Sequence, residues 1–318
     1  MKAITFKKYG PPEVLQLNQV AKPIPKDNEV LIRIFATAVN SGDIRLRNAD
    51  PWAVRLFLGL SKPRINILGG VLSGEVEAIG KNVTKFNIGD QLFGSTGMSF
   101  GAYADYKCLP ENGILAIKPA NITHQQAATI PFGATTALYF LKKAGIKSGQ
   151  KVLIYGASGA VGSSAVQLAK FWGAEVTGVC STSNIGLVRS LGADGVIDYT
   201  KKDFTTNGET YDLIFETVNK LSFSASIKSL KKNGTLILGA SGLSQQLRGV
   251  WTSRTSSQKI ISGMIKQKAE DIIFLKELIE REFYKPVVDR TYPLEQMVEA
   301  HTYAEQGHKR GNVAITLT

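Results

Sequence analysis

The stretch Lys151-Val152-Leu153-Ile154-Tyr155-Gly156-Ala157-Ser158-Gly159-Ala160-Val161-Gly162 decides the fold. Its first half is a short apolar run bounded by a glycine turn, the pattern of a buried strand. Its second half opens a helical pattern, with Val161, Ala165, Leu168 and Trp172 recurring at spacings of four, three and four and Gly173 placed as a C-terminal cap. Glycines at 156, 159 and 162 let the backbone turn sharply and admit a pyrophosphate. The following helix then presents free N–H groups and the positive end of its dipole. The spacing is G-x-x-G-x-x-G rather than the commoner G-x-G-x-x-G, and a ligand-free strand-to-helix turn is the bland alternative. Ser158, Gly159, Ala160 and Val161 are the residues expected to cradle the phosphates.

Strand and helix patterns continue to alternate outward from this turn. Glu175 to Cys180, Gly195 to Asp198, Asp212 to Phe215 and Thr235 to Leu238 read as strands. Asn184 to Leu191 and Phe223 to Leu230 read as helices. Such alternation predicts a doubly wound parallel sheet of the Rossmann type. In a sheet of this kind the end of the second strand selects the dinucleotide, because an acid there holds a ribose 2′-hydroxyl and repels a 2′-phosphate. Here the second strand is followed by Ser181-Thr182-Ser183-Asn184, with no acid. Hydroxyls and an amide suit a phosphate, and Tyr199 ends the next strand, so NADP (as NADPH) is expected over NAD. The same four residues would also cap the next helix.

Residues 1–121 show a different rhythm, with short apolar or alternating runs such as Val30 to Ile34, Val71 to Ile79 and Gln91 to Phe93 separated by turn pairs. This predicts a mainly β domain. An amphipathic helix over Lys268 to Glu282 and a β-like run from Asn312 to Leu317 close the chain.

Composition bounds the rest. With 318 residues and 43% apolar residues the chain can build two buried cores. Two cysteines, Cys108 and Cys180, exclude a disulfide framework and a four-cysteine zinc lobe. No signal peptide is visible at the start. The uncharged stretch 119–141 carries His124, two glutamines and two prolines, which argues against a membrane span, so a cytoplasmic protein is expected. The net charge of +12 suits phosphorylated ligands, but no nucleic-acid motif is visible.

The run from Val152 to Gly162, with Leu191-Gly192-Ala193-Asp194 and Val196-Ile197-Asp198-Tyr199, resembles the medium-chain dehydrogenase/reductase superfamily. It is most similar to the zinc-independent, quinone-oxidoreductase-like branch. Ala38 to Asp43, Val83 to Phe86 with Gly89-Asp90, Ala127 to Pro131 and Arg310 to Val313 extend the resemblance over nearly the whole chain. It implies a GroES-like β domain beside the Rossmann domain. The domains would be residues 1–121 completed by 267–318, and residues 122–266. It also implies an NADPH-dependent oxidoreductase that transfers a hydride to a quinone, an enone or a related activated carbonyl. The expected substrate is a small hydrophobic acceptor, and the expected assembly a homodimer.

The zinc-binding positions of the metal-dependent relatives fall at Asn40, at Gly69-Gly70-Val71 and near Phe132, where no ligand type stands. The three histidines, His124, His301 and His308, have no metal-ligand spacing and are read as structural or surface residues. No metal is expected. The resemblance places Asn40 beside the nicotinamide and the substrate oxygen, where its amide could stabilise a developing oxyanion. Asp43 would support that loop or cap the helix after it. The quinone reductases usually carry a tyrosine two positions after this aspartate, and here the residue is Arg45, which either meets the substrate or faces solvent. Thr136 matches a contact to the carboxamide side of the cofactor, Thr217 and Val218 flank the adenosine, Gly239 and Ala240 end a strand at the ligand edge, and Asn312 matches a C-terminal cofactor contact. Tyr103 and Tyr106 are candidate proton donors or packing residues. Trp52 and Phe57 would line an apolar pocket or belong to a surface helix. Two further functions stay open: an enoyl-thioester reductase of the same fold, and a nucleotide-binding sensor, scaffold or RNA-binding protein.

Overall fold

The computed structural model describes residues 1–240, 248–249, 251–253 and 256–317; the side chain of Phe57 also lies outside the described residues. The chain divides into two units, Met1–Phe132 with Lys268–Thr318, and Gly133–Gln267.

The first unit is mainly β. Its strands are β1 (Lys2–Thr5), β2 (Gln16–Gln19), β3 (Glu29–Val39), β4 (Val71–Ile79), β5 (Gln91–Ser95), β6 (Tyr106–Pro110) and β7 (Ile114–Ile117). β1 and β2 form an antiparallel ladder of their own. The long β3 is the hub of the larger sheet, pairing antiparallel with β4 and with β6. Its Val30, Ile32, Ile34, Ala36 and Ala38 are at most 2% exposed, the alternate residues that a half-covered strand turns to its core. The core they join includes Leu72, Val76, Leu92, Tyr103, Met297 and Ile315.

The second unit carries β8 (Lys151–Tyr155), β9 (Glu175–Cys180), β10 (Gly195–Asp198), β11 (Tyr211–Glu216), β12 (Leu230–Leu238) and β13 (Lys259–Ile261). They form one sheet in the order β10-β9-β8-β11-β12-β13, with every neighbour parallel. Val152, Leu153 and Ile154 of β8 are fully buried, as a central strand covered on both faces requires. The helices Ala160–Phe171, Ile185–Ser190 and Phe223–Lys228 carry the chain from β8 to β9, from β9 to β10 and from β11 to β12. The strand order reverses between β8 and β11, and open sheets of this kind bind ligands at the strand ends beside such a reversal. The fold is α/β, with a GroES-like β domain and a Rossmann-type domain.

The chain then returns to the first unit. The helix Ala269–Glu280 is followed by β14 (Val288–Pro293), the helix Met297–Glu305 and β15 (Asn312–Thr316). β15 inserts between a parallel partner, β14, and an antiparallel one, β3. The C-terminal strands therefore complete the sheet that β3 organises in the first unit. No described helix is long and apolar enough to cross a membrane. The uncharged stretch around 119–141 forms most of the helix His124–Ala144, which has Pro131 inside it.

Candidate functional sites in the two units

The glycine turn joins β8 to the helix Ala160–Phe171, and each of its glycines has its own reason. Gly156 has φ +84°, and a Cβ there would lie 2.6 Å from Thr217 Oγ1 and 2.7 Å from Val218 Cγ1. Only glycine fits both the dihedral and the space. A Cβ on Gly162 would lie 2.0 Å from the Gly156 carbonyl oxygen, so this glycine lets the helix seat on the turn. Gly159 differs. Its backbone is extended, and the nearest protein atom to a Cβ there would be Gly156 O at 3.5 Å, an ordinary contact. No neighbour in the chain demands glycine at 159; the open space outside it is what a close-approaching ligand would use. Gly159 is also the N-cap of the helix, and no side chain caps it. The first-turn N–H groups of an α-helix have no partner inside the helix, and together with the dipole they favour an anion. Ser158, Gly159, Ala160 and Val161 are all partly exposed on this turn.

The end of β9 meets the turn through Asn184. This side chain is 7% exposed, and its Nδ2 donates to Ser158 Oγ at 3.1 Å and to Ser181 Oγ at 3.2 Å. Its Oδ1 is buried without a partner, an acceptor left open beside the turn. Ser181 and Ser183 lie 3.3 Å apart through their hydroxyls. Ser158, Ser181, Ser183 and Asn184 thus form one polar cluster. Thr182 leaves it, because its hydroxyl is bonded to Asp198 and Thr200 at the end of β10. Tyr199, half exposed, lines a cavity of about 270 Å³ with Tyr155, Lys202, Phe204, Lys220 and Leu221.

Across the reversal of strand order, Thr217 donates from Oγ1 to Tyr155 O at 2.8 Å, tying the end of β11 to the end of β8. Val218 is 40% exposed. Gly239 donates its N–H to Glu216 O at 2.9 Å, and a Cβ there would meet Phe215 at 2.7 Å. Glu216 ends β11 and was not singled out in the sequence. It is 1% exposed and accepts from the N–H of Val218 at 2.7 Å, while burial, opposed by backbone N–H groups of residues 218–220 and Ala240, pushes its carboxyl up to about 7. Thr136 is buried within the helix His124–Ala144.

The first unit gathers a second set of polar groups. Asn40, 5% exposed, is the N-cap of the helix Ser41–Asn48, and its Nδ2 reaches Ala38 O at 3.5 Å. Asp43, 2% exposed, accepts from the N–H of Asn40 and from the N–H of Gly69, each at 3.1 Å. Burial raises its carboxyl to about 6 against those bonds and that of Tyr103. It therefore both caps the helix and ties the Asn40 loop to the start of β4. Arg45 is exposed, and Asn312 turns its amide onto Val287 O at 3.0 Å. Trp52 is 62% exposed. Arg47, fully buried two positions beyond Arg45, is another residue that the sequence did not single out. No periodicity distinguishes the two arginines; only the helix's orientation on the core does. Among the described residues no group of three or more His, Cys, Asp and Glu could hold a metal ion.

A parallel sheet with a glycine turn at its reversal, and a β unit completed by the C-terminus, define the dinucleotide-dependent oxidoreductases of the two-domain type. Residues 26–119 match the alcohol dehydrogenase GroES-like domain, and residues 191–315 match the family described as zinc-binding dehydrogenase. The chain is 31% identical to a 2-methylene-furan-3-one reductase of Solanum lycopersicum, over 99% of this chain and 79% of that protein. It is 30% identical to a chloroplastic NADPH-dependent alkenal/one oxidoreductase of Arabidopsis thaliana, with the same coverage of each. The solved quinone oxidoreductase of Coxiella burnetii superposes with a TM-score of 0.90 at 30% identity, covering 100% of this chain and 99% of that one. The chain belongs to the quinone-oxidoreductase-like branch of the medium-chain dehydrogenase/reductase superfamily, and it is an oxidoreductase of that family.

Proposed function

We propose that this protein is a metal-free, NADPH-dependent reductase of quinones, enones or related activated carbonyl compounds. The observation that carries this reading is the turn at Gly159, which is open to a ligand and continuous with the Asn184 cluster. The residues there fit a dinucleotide: an uncapped helix N-terminus for its pyrophosphate and, beside it, a buried, unpartnered Asn184 Oδ1 placed to accept from a ribose hydroxyl. The bound dihydronicotinamide would supply the hydride.

The chain's own groups do the rest. Ser158 to Val161 hold the phosphates. Ser181 and Ser183 donate to the 2′-phosphate where an NAD enzyme would place a carboxylate, Asn184 accepts from a ribose hydroxyl through its open Oδ1, and Thr182 and Tyr199 border that place. Thr217, Val218, Gly239 and Ala240 flank the dinucleotide at the strand ends, and Thr136 and Asn312 are assigned to it by family resemblance. On the acceptor side, the Asn40 amide N–H donates to the carbonyl or quinone oxygen as negative charge builds on it. Asp43 holds Asn40 in place. The proton that completes the reaction comes from solvent. Arg45 faces water and is free to attract acidic acceptors.

The test is NADPH oxidation followed at the nicotinamide absorbance with a benzoquinone, an aliphatic enone and crotonyl-CoA, each with and without a chelator. Turnover of the quinone or the enone, unchanged by the chelator, is expected. Turnover of crotonyl-CoA alone would instead make the protein an enoyl-thioester reductase, and loss of activity with the chelator would overturn the metal-free reading.

A further inference from the structure

A buried chain of polar side chains runs through the first unit and ends on Asp43. Arg47, fully buried, donates from Nη1 to His301 Nδ1 at 2.9 Å. His301, also fully buried, meets the Tyr103 hydroxyl through Nε2 at 3.2 Å, with the two rings edge to face at 5.7 Å. Tyr103, fully buried in turn, faces the Asp43 carboxyl closely enough that its hydroxyl favours the ionised form of Asp43. At the outer end Arg47 is held by Glu305, by Asn48 Oδ1 at 3.0 Å and, through Nε, by Gly10 O at 3.0 Å.

The direction of every bond follows from the arginine. A guanidinium only donates. His301 Nδ1 must therefore accept, and the proton of the neutral ring sits on Nε2. Nε2–H then donates to the Tyr103 oxygen, and the Tyr103 O–H is left to donate to Asp43. Burial and the Arg47 charge keep the ring neutral, lowering His301 to about 3. The charged and titratable groups along this path are Asp43, Tyr103, His301, Arg47 and, at the surface end, Glu305. Asp43 thus receives one O–H and the N–H groups of Asn40 and Gly69, all of which favour its ionised form against burial.

We propose that Arg47, His301 and Tyr103 are positioning residues for the reduction: they fix Asp43 as an ionised acceptor and so hold Asn40 where it meets the acceptor oxygen. The inference rests on the reading of Asn40 given above. An arginine cannot pass a proton on, so the chain sets orientation and charge; it is not a proton wire.

Tyr103→Phe removes one O–H and keeps the ring. It should leave NADPH affinity within about twofold and lower kcat about tenfold, the rate equivalent of one hydrogen bond to a charged group. Its acid limb in kcat should also move to higher pH, because Asp43 loses a donor that favours ionisation. A ring that merely fills space would leave that limb in place. His301→Gln offers the same acceptor and donor and should stay near the parent, whereas His301→Phe should not. An unmoved acid limb in Tyr103→Phe overturns the proposal. Two measurements decide it without turnover. The ¹⁵N spectrum of His301 should show a neutral Nε2–H ring from pH 5 to 8, and the ¹³C titration of the Asp43 carboxyl should shift upward in Tyr103→Phe. A His301 that titrates normally, or an Asp43 midpoint unchanged by the substitution, refutes the chain. Both results as expected, with no reduction of any acceptor, would place the failure in the reading of Asn40.

Discussion

At the end of β11, Glu216 turns one carboxylate oxygen onto backbone N–H groups and buries the other without a partner. Burial outweighs the bonds, and its carboxyl rises from 4.5 to about 7. The folded chain therefore binds the proton more tightly than the unfolded chain. Stability from this group is present below about pH 4.5 and is lost as pH rises through 7, to the extent of roughly 3 kcal/mol. Glu216→Gln keeps an acceptor and removes the titration. Urea unfolding should show the variant gaining on the parent by that amount between pH 4.5 and 8; a constant difference would mean that Glu216 titrates normally. The end of β9 offers a second test. Ser181→Asp restores the acid that the sequence lacks and should lower NADPH affinity at least tenfold while sparing NADH, since a carboxylate repels the 2′-phosphate. Equal affinities for NADPH before and after would place the 2′-phosphate elsewhere. Ser181 and Asn184 were singled out by their position after the second strand, and Asn40 with Asp43 by the family resemblance. Arg47 and Glu216 could not be, because a charged residue's burial depends on which face of its element meets the core, and a polar type carries no sign of that.

At the scale of elements, the strand, turn and helix from Lys151 to Phe171 were legible because short-range rules agree there: an apolar run, glycines at the turn and apolar residues at helical spacing. The glycines separate folding from binding. Gly162→Ala drives a methyl to 2.0 Å from the Gly156 carbonyl and should cost several kcal/mol, on the order of an overpacked core. Gly159→Ala meets only a 3.5 Å contact, so it should fold with an unchanged melting temperature and bind NADPH at least tenfold more weakly. Thermal melts paired with fluorescence titrations read both effects. If Gly159→Ala binds as well as the parent, the turn does not carry the phosphates. The four polar residues after β9 illustrate the limit of spacing arguments. All four are hydroxyl or amide types, yet Thr182 turns to Asp198 while Asn184 turns to Ser158 and holds Ser181, a choice made by the neighbouring strand.

At the scale of the whole molecule, the parallel sheet followed from alternation of elements, but the return of the C-terminus did not follow from local pattern. Asn312 to Thr316 has the composition of any strand; its place between β14 and β3 is a long-range pairing that only the family resemblance suggested. That pairing is fully buried at Val313, Ala314 and Ile315. Ile315→Ala should cost about 3 kcal/mol, as for other buried large-to-small changes, and chemical denaturation would show it. A cost under 1 kcal/mol would contradict the shared sheet. Binding of NADPH by the second unit for hydride transfer is tested by a fluorescence titration of the protein with NADPH and, in parallel, NADH, followed by addition of a quinone or an enone. Saturable binding that favours NADPH, and loss of the nicotinamide signal when the acceptor is added, are expected. Failure to bind either cofactor would contradict this expectation.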